Sequence, residues 1–135
     1  MSNKAPIVAL VDDDKIFQLT ASKTIKALQL SDNILQFENG EDALKYLVDN
    51  ASNSEKLPDY IFLDINMPFV DGWMFLQDYA SLKQNLRKDI SIFMVSSSID
   101  PRDIHRARSI PDVQEYVVKP LSREKFIELL NEEAA

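Results

Sequence analysis

The sequence predicts an α/β protein in which a doubly wound parallel sheet of five strands is covered on both faces by five helices. Two observations support this fold class. Five short apolar runs, each bounded by polar residues, alternate along the chain with segments whose apolar residues recur at helical spacing. The runs are also apolar at nearly every position, as is typical of strands that are buried on both faces of a sheet. Strands that alternate with helices are joined by crossover connections, which make the sheet parallel.

The five strands are predicted at the apolar runs. Their bounds are Ile7–Val11, Ile34–Phe37, Tyr60–Leu63, Ile90–Val95 and Tyr116–Val118. Apolar residues three or four positions apart predict helices between and after the strands. These residues are Phe17, Ala21, Ile25 and Leu28 in the first helix, Ala43, Leu44, Leu47 and Val48 in the second, Phe75, Tyr79 and Leu82 in the third, and Phe126, Ile127, Leu129 and Leu130 in the last. In a sheet of this kind, ligands bind outside the carboxyl ends of the strands.

Polar residues mark where several of the helices begin. Asp14 and Ser122 are the predicted N-caps of the first and the last helix. Asp100 followed by Pro101 predicts the start of the fourth helix, because proline is favoured at the first helical position. This fourth helix has a single large apolar residue, Ile104, so we expect it to be the least anchored of the five.

Length and composition limit the possible classes of protein. The 135 residues predict one domain over residues 1–135. The absence of cysteine excludes disulfides and thiolate metal sites. The net charge of −7, without a cluster of basic residues, argues against direct binding to nucleic acid. No segment resembles a signal peptide or a membrane span, so we expect a cytoplasmic protein without membrane contact.

Chemically reactive side chains lie at the ends of four of the predicted strands. Asp12 and Asp13 come after the first strand, Asp64 after the third, Ser96 after the fourth and Lys119 after the fifth. Carboxylates that converge from two strands repel each other unless a hard cation lies among them, and Mg²⁺ binds carboxylates while keeping water or phosphate oxygens as its other ligands. With a lysine and a hydroxyl nearby, such a site is equipped for phosphoryl transfer. Asp64 is the expected nucleophile, and Asp12 and Asp13 are the expected metal ligands.

Four motifs carry a resemblance to a known family. The segments "VDDDK", "LDINMPFVDGW", "MVSSS" and "YVVKP", in this order and spacing, resemble the receiver domain of two-component response regulators, the CheY-like family. The resemblance covers residues 5 to 131. It implies the flavodoxin-like fold with strand order 2-1-3-4-5, which is the order of CheY itself. It also implies that Asp64 accepts a phosphoryl group from a histidine kinase or a histidine phosphotransfer protein.

The resemblance implies a magnesium site as well. Asp13 and Asp64 would bind Mg²⁺ through their side chains, and Asn66 would bind it through its backbone carbonyl. Asp12 would contribute through a coordinated water molecule. Mg²⁺ is therefore the expected cofactor.

The resemblance implies roles for three further residues, Ser96, Lys119 and Tyr116. Ser96 and Lys119 would bind the phosphoryl oxygens and so act together with Asp64. Ser96 and Tyr116 would form a switch that alters the face made by the fourth helix, fifth strand and fifth helix, where a downstream protein would bind. The bond between Lys119 and Pro120 is expected to be cis. The protein would be a signalling switch rather than an enzyme, either monomeric or dimeric on phosphorylation.

Several functions remain open at this point. No output domain is expected after residue 135, which favours a stand-alone receiver. A relay that passes the phosphoryl group onward and a receiver that only binds partners are the alternatives. A metal-dependent phosphatase of the haloacid dehalogenase type is disfavoured, because Asn66 stands where that chemistry needs a second acid. A flavin-binding protein is disfavoured because the acidic run at residues 12–14 would repel a phosphate group.

Overall fold

A parallel five-stranded sheet forms the centre of the computed structural model, which describes residues 6–131. The strands are β1 (Ile7–Val11), β2 (Asn33–Phe37), β3 (Tyr60–Asp64), β4 (Ser91–Ser96) and β5 (Val113–Val118). Their order across the sheet is β2-β1-β3-β4-β5, and every neighbouring pair is parallel. The predicted fold class and strand order are confirmed.

The connections between the strands are helical, as expected. The helices are α1 (Lys15–Ala27), α2 (Gly40–Asp49), α3 (Gly72–Leu82), α4 (Pro101–Arg108) and α5 (Arg123–Leu130), and a 3₁₀ turn at Lys83–Asn85 follows α3. Asp14, Asp100 and Ser122 each accept a hydrogen bond from a backbone N–H two or three residues further along. The predicted starts of α1, α4 and α5 are therefore confirmed. Within residues 6–131, no helix has the length and apolar character needed to cross a membrane.

The core has two apolar layers, one on each face of the sheet. Helices α1 and α5 cover one face, where Phe17, Ile25 and Phe126 are buried. Helices α2, α3 and α4 cover the other face, and Ala107 is the residue of α4 that is buried there. Every residue of β1 and β3 is buried, which explains why these strands are apolar throughout most of their length.

Strand β5 is longer than its sequence predicts. It begins at Val113, whereas the apolar run begins at Tyr116. Gln114 and Glu115 interrupt the apolar pattern, yet both lie in the strand because β5 is at the edge of the sheet, where polar side chains reach solvent. The register between β4 and β5 also shifts between Ile92 and Phe93. The pairing at the start of β5 therefore could not be predicted from the local sequence.

Candidate functional site

The strand register brings the site residues that the sequence predicts to one edge of the sheet. The carboxyl ends of β1, β3, β4 and β5 lie side by side. Asp12 follows β1, Asp64 ends β3, Ser96 ends β4 and Lys119 follows β5. Residues that are more than 100 positions apart in the chain, such as Asp12 and Lys119, are thereby in contact.

Asp12 is held in place through its backbone and its side chain. Its N–H donates to the carbonyl of Phe37 at 3.0 Å. Its Oδ1 accepts a hydrogen bond from the N–H of Asp14 at 2.9 Å. Its Oδ2 lies 2.8 Å from the Nζ of Lys119 but is not aligned for a hydrogen bond, so among the described residues this buried oxygen has no hydrogen-bond donor. This oxygen therefore has the Lys119 ammonium as its partner in an ion pair and retains a lone pair for a further ligand.

Asp12, Asp13 and Asp64 form a group with the donor chemistry of a magnesium site. Carboxylate oxygens from the three residues lie within 4.8 Å of one another. Asp12 and Asp64 are buried, and Asp13 is exposed at the entrance. Hard oxygen donors, one of them buried without a hydrogen bond, fit a hard divalent cation. The residues that the sequence predicts for the metal are therefore brought together, while the contribution of the Asn66 carbonyl remains a prediction.

The environment of Asp64 disfavours its negative charge. Burial raises the pKa of Asp64 to about 7, the negative charge of Asp12 adds to the rise, and the positive charge of Lys119 opposes it. The hydrogen bond that Asp64 Oδ1 accepts from the N–H of Asn66 is long, at 3.4 Å. Near neutral pH and without a cation, the Asp64 carboxyl is therefore partly protonated.

Lys119 is the positive charge of the site. Its Nζ lies 2.8 Å from Asp12 Oδ2 and 4.0 Å from Asp64 Oδ1. It also lies 4.6 Å from the centre of the Phe17 ring, a distance suited to a cation–π contact. Lys119 thus offsets the charges of both buried carboxylates and is closest to Asp12. The peptide bond between Lys119 and Pro120 is cis, as expected.

Ser96 and Tyr116 are linked through the loop that connects β4 to α4. Ser96 is buried, and its Oγ accepts a hydrogen bond from the N–H of Ser98 at 3.0 Å. The hydroxyl of Tyr116 donates to the carbonyl of the same Ser98 at 2.8 Å. The carbonyl of Ser96 accepts from the N–H of Lys119 at 2.8 Å, which joins this loop to the lysine. Ser98 is therefore hydrogen-bonded to both of the predicted switch residues, Ser96 and Tyr116.

Gly72 allows α3 to begin directly against the end of β3. A Cβ at this position would lie 2.6 Å from the carbonyl oxygen of Asp64 and 2.9 Å from the Cα of Ile65. The N–H of Gly72 donates to the carbonyl of Ile65 at 2.8 Å. Since the neighbouring atoms belong to the backbone, only glycine fits this contact without a shift of β3 or α3.

Two residues that make specific contacts were not found from the sequence. Gln18 is buried and donates to backbone carbonyls at the ends of β1 and β2. Its signal was available, because Gln18 lies on the same helical face as Ala21 and Ile25, where a polar residue is unexpected. Arg106 of α4 lies 4.3 Å from the centre of the Trp73 ring in the first turn of α3, and no local pattern indicates this pair.

Comparison with known proteins identifies the family. The sequence model of the response regulator receiver domain matches residues 8–131. The chain belongs to this family. Receiver domains are signalling switches of two-component systems, which operate with histidine kinases, and they are not generally classed as enzymes.

Individual relatives agree with this assignment. The chain is 32% identical over 119 residues to the sensor histidine kinase CheAY of Helicobacter pylori, covering 87% of this chain but only 14% of that protein. It is 31% identical over 121 residues to protein PilG of Pseudomonas aeruginosa, covering 89% of this chain and 81% of PilG. Among solved structures, a two-component response regulator from Cytophaga hutchinsonii matches with a TM-score of 0.85 and 29% identity, covering 96% of this chain and 97% of that one.

Proposed function

We propose that this receiver is a phosphorylation-controlled switch that accepts a phosphoryl group on the carboxylate of Asp64. The group would come from a phosphohistidine of a histidine kinase or of a histidine phosphotransfer protein. The observation that supports this proposal most is the convergence of Asp64 with Asp12, Asp13 and Lys119 at one edge of the sheet, in a chain of the receiver family.

The transfer is a displacement at phosphorus. A carboxylate oxygen of Asp64 forms a bond to phosphorus while the bond from phosphorus to the donor imidazole nitrogen breaks. Asp64 attacks in its ionised form. Because the pKa of Asp64 is raised to about 7, only part of the protein carries the ionised form at neutral pH. Asp13 and Asp64 would hold Mg²⁺ through their side chains, Asn66 through its backbone carbonyl and Asp12 through a coordinated water molecule. When bound, Mg²⁺ offsets the charge of the carboxylates and of the phosphoryl oxygens.

Ser96 and Lys119 would bind the oxygens of the phosphoryl group. The Ser96 hydroxyl would donate a hydrogen bond to a phosphoryl oxygen, and a shift of Ser96 towards that oxygen would draw along Ser98, whose N–H donates to Ser96 Oγ and whose carbonyl accepts from Tyr116. Phosphorylation would therefore shift Tyr116 and the face made by α4, β5 and α5, where an unidentified downstream protein binds.

We further propose that this receiver acts in the cytoplasm, as a monomer or as a dimer that forms on phosphorylation. Its output would depend on a protein partner and not on direct binding to nucleic acid or a membrane. A relay that passes the phosphoryl group onward is the second candidate. A module that only binds partners is the third, although the acceptor, the acidic pair and the lysine are all present.

The first experiment measures covalent phosphorylation. The protein is incubated with acetyl phosphate and MgCl₂, and its intact mass is determined. We expect a gain of one phosphoryl group that disappears with EDTA and in Asp64→Asn. Asp78→Asn, which removes an exposed carboxylate of α3 outside the site, is the matched control and should be labelled like the wild type.

Two results would contradict the assignment. Labelling of Asp64→Asn at another aspartate would show that the acceptor is wrong. No labelling of the folded wild type by acetyl phosphate, followed by none from a panel of phosphorylated histidine phosphotransfer proteins, would favour the module that only binds partners.

A further inference from the structure

Gln18 connects the ends of two strands beneath the acidic residues. Its side-chain Nε2 donates to the carbonyl oxygens of Leu10, Asp12 and Phe37, each at 3.0 Å. A glutamine amide has only two N–H groups, so at least one hydrogen is shared between acceptors. Leu10 and Asp12 flank the last residue of β1, and Phe37 ends β2. One buried side chain of α1 therefore joins both strand ends.

The orientation of the Gln18 amide is determined by its surroundings. Its Oε1 is buried and has no hydrogen-bond partner within residues 6–131. If oxygen and nitrogen were exchanged, Oε1 would face three carbonyl oxygens that repel it, and those acceptors would lose their shared donor. The position therefore requires a donor, and an acceptor such as a carboxylate oxygen would not replace it.

The hydrogen bonds of Gln18 fix the backbone of Asp12. The backbone N–H of Asp12 donates to the carbonyl of Phe37, the same carbonyl that accepts from Gln18. Gln18 holds the carbonyl of Asp12, so both backbone groups of this residue are fixed. The direction of the Cα–Cβ bond is then fixed as well, which keeps the Asp12 carboxylate near those of Asp13 and Asp64 despite their mutual repulsion.

We propose that Gln18 is a positioning residue for the divalent-cation site, and that it acts by fixing the backbone of Asp12. The inference rests on the proposed function, because it takes Asp12, Asp13 and Asp64 as the residues that hold the cation. Removing a residue that hydrogen-bonds to a metal ligand without touching the metal commonly weakens metal affinity by about 10–100-fold.

The test is the Mg²⁺ affinity of Gln18→Met, which has a similar length but no donor. Titration with MgCl₂ is followed by NMR through the backbone amide signals of Asp64 and Asn66. We expect the dissociation constant to rise about 10-fold. Gln18→Asn keeps the amide but is one methylene shorter and cannot reach all three carbonyls, so its dissociation constant should rise at least about threefold. This second variant gives the answer if Gln18→Met does not fold.

Ile25→Val is the matched control for stability. Ile25 is fully buried on the same helix, seven residues beyond Gln18, and contacts none of the acidic residues by hydrogen bond or charge. The variant should unfold at lower urea concentration than the wild type yet keep its Mg²⁺ dissociation constant within about twofold, because affinity does not depend on global stability while the protein is folded.

Three results would overturn the inference. An unchanged Mg²⁺ affinity in a folded Gln18 variant removes the role of Gln18 and leaves the proposed function intact. An equal loss of affinity in Ile25→Val shows that affinity follows stability and not the contact to Asp12. If the wild type itself does not bind Mg²⁺ at Asp64 and Asn66, the proposed function fails, and this inference fails with it.

Discussion

The two sides of the site are held very differently. On the α1 side, the helix has 13 residues, of which four, including Gln18, are buried, and hydrogen bonds fix the backbone of Asp12. On the α4 side, the helix has eight residues, of which Ala107 is the buried one. The proposed cation ligands are thus on the firmly held side, and the proposed switch residues Ser96 and Tyr116 adjoin the weakly held side. A change in bonding at Asp64 should therefore move α4 before it moves α1.

The largest expected effect comes from removing the main apolar side chain of each helix. Ile25→Ala, in α1, should lower the free energy of unfolding by about 2–5 kcal/mol, because this side chain is fully buried. Ile104→Ala, in α4, removes a half-buried side chain and should cost less than about 1 kcal/mol. Urea denaturation measures both values. Equal losses of unfolding free energy in the two variants would show that α1 and α4 are held equally firmly.

The close packing of α3 against β3 can be tested next. Gly72→Ala should lower the free energy of unfolding by about 1–3 kcal/mol, because its Cβ would overlap the backbone of Asp64 and Ile65. Gly40→Ala is the comparison, since its Cβ would lie 2.9 Å from Val70 Cγ1 and 3.0 Å from the Val70 carbonyl oxygen, a milder overlap than the 2.6 Å to the Asp64 carbonyl oxygen. Thermal and urea unfolding compare the two variants. A Gly72→Ala variant as stable as Gly40→Ala would indicate that β3 and α3 separate easily.

Asp64 lies between the two sides and should make stability depend on pH. Its folded pKa of about 7 is raised above the ordinary 3.8, so the folded state keeps a proton that the unfolded state releases. The contribution of Asp64 to the free energy of unfolding, measured in EDTA as the difference between the wild type and Asp64→Asn, should therefore fall as the pH rises from about 4 to about 7. Asp64→Asn lacks this dependence and should be more stable than the wild type at pH 8 by about 1–3 kcal/mol.

At pH 4 the advantage of Asp64→Asn should vanish, because the wild-type carboxyl is then protonated in the folded state. Asp78→Asn, on the exposed face of α3, should follow the wild type at both values. An advantage of Asp64→Asn that is the same at pH 4 and pH 8 would exclude ionisation as its cause.

The smallest effect concerns the contact between α3 and α4. Arg106→Ala removes the cation–π contact with Trp73 and should lower the free energy of unfolding by about 0.5–1 kcal/mol. Trp73 is the one tryptophan of the chain, so its fluorescence emission should also shift. Arg108→Ala, exposed on the same helix, should change neither quantity measurably. An unaltered emission in Arg106→Ala would mean that this contact does not tie α4 to α3.

Local sequence patterns were sufficient for the fold class and the helix starts, and the family resemblance supplied the strand order. Apolar runs buried on both faces predicted the parallel sheet, and the caps at Asp14, Asp100 and Ser122 depend on neighbouring residues alone. Strand β5 was predicted too short because its polar residues at the sheet edge break the apolar pattern without breaking the strand. The weak anchoring of α4 could also be predicted, since it results from the lack of large apolar residues.

By itself, the sequence determined which residues meet at the site, because the carboxyl ends of parallel strands share one edge and the motifs fix the side chains at each of those ends. Only the tertiary structure decided how these residues are held. Lys119 lies nearest to Asp12, and the Gln18 amide donates to three backbone carbonyls. Helix α3 begins so close to the backbone of Asp64 that only glycine fits at position 72. These features depend on distances between segments far apart in the chain, and such distances result from packing rather than from any local pattern.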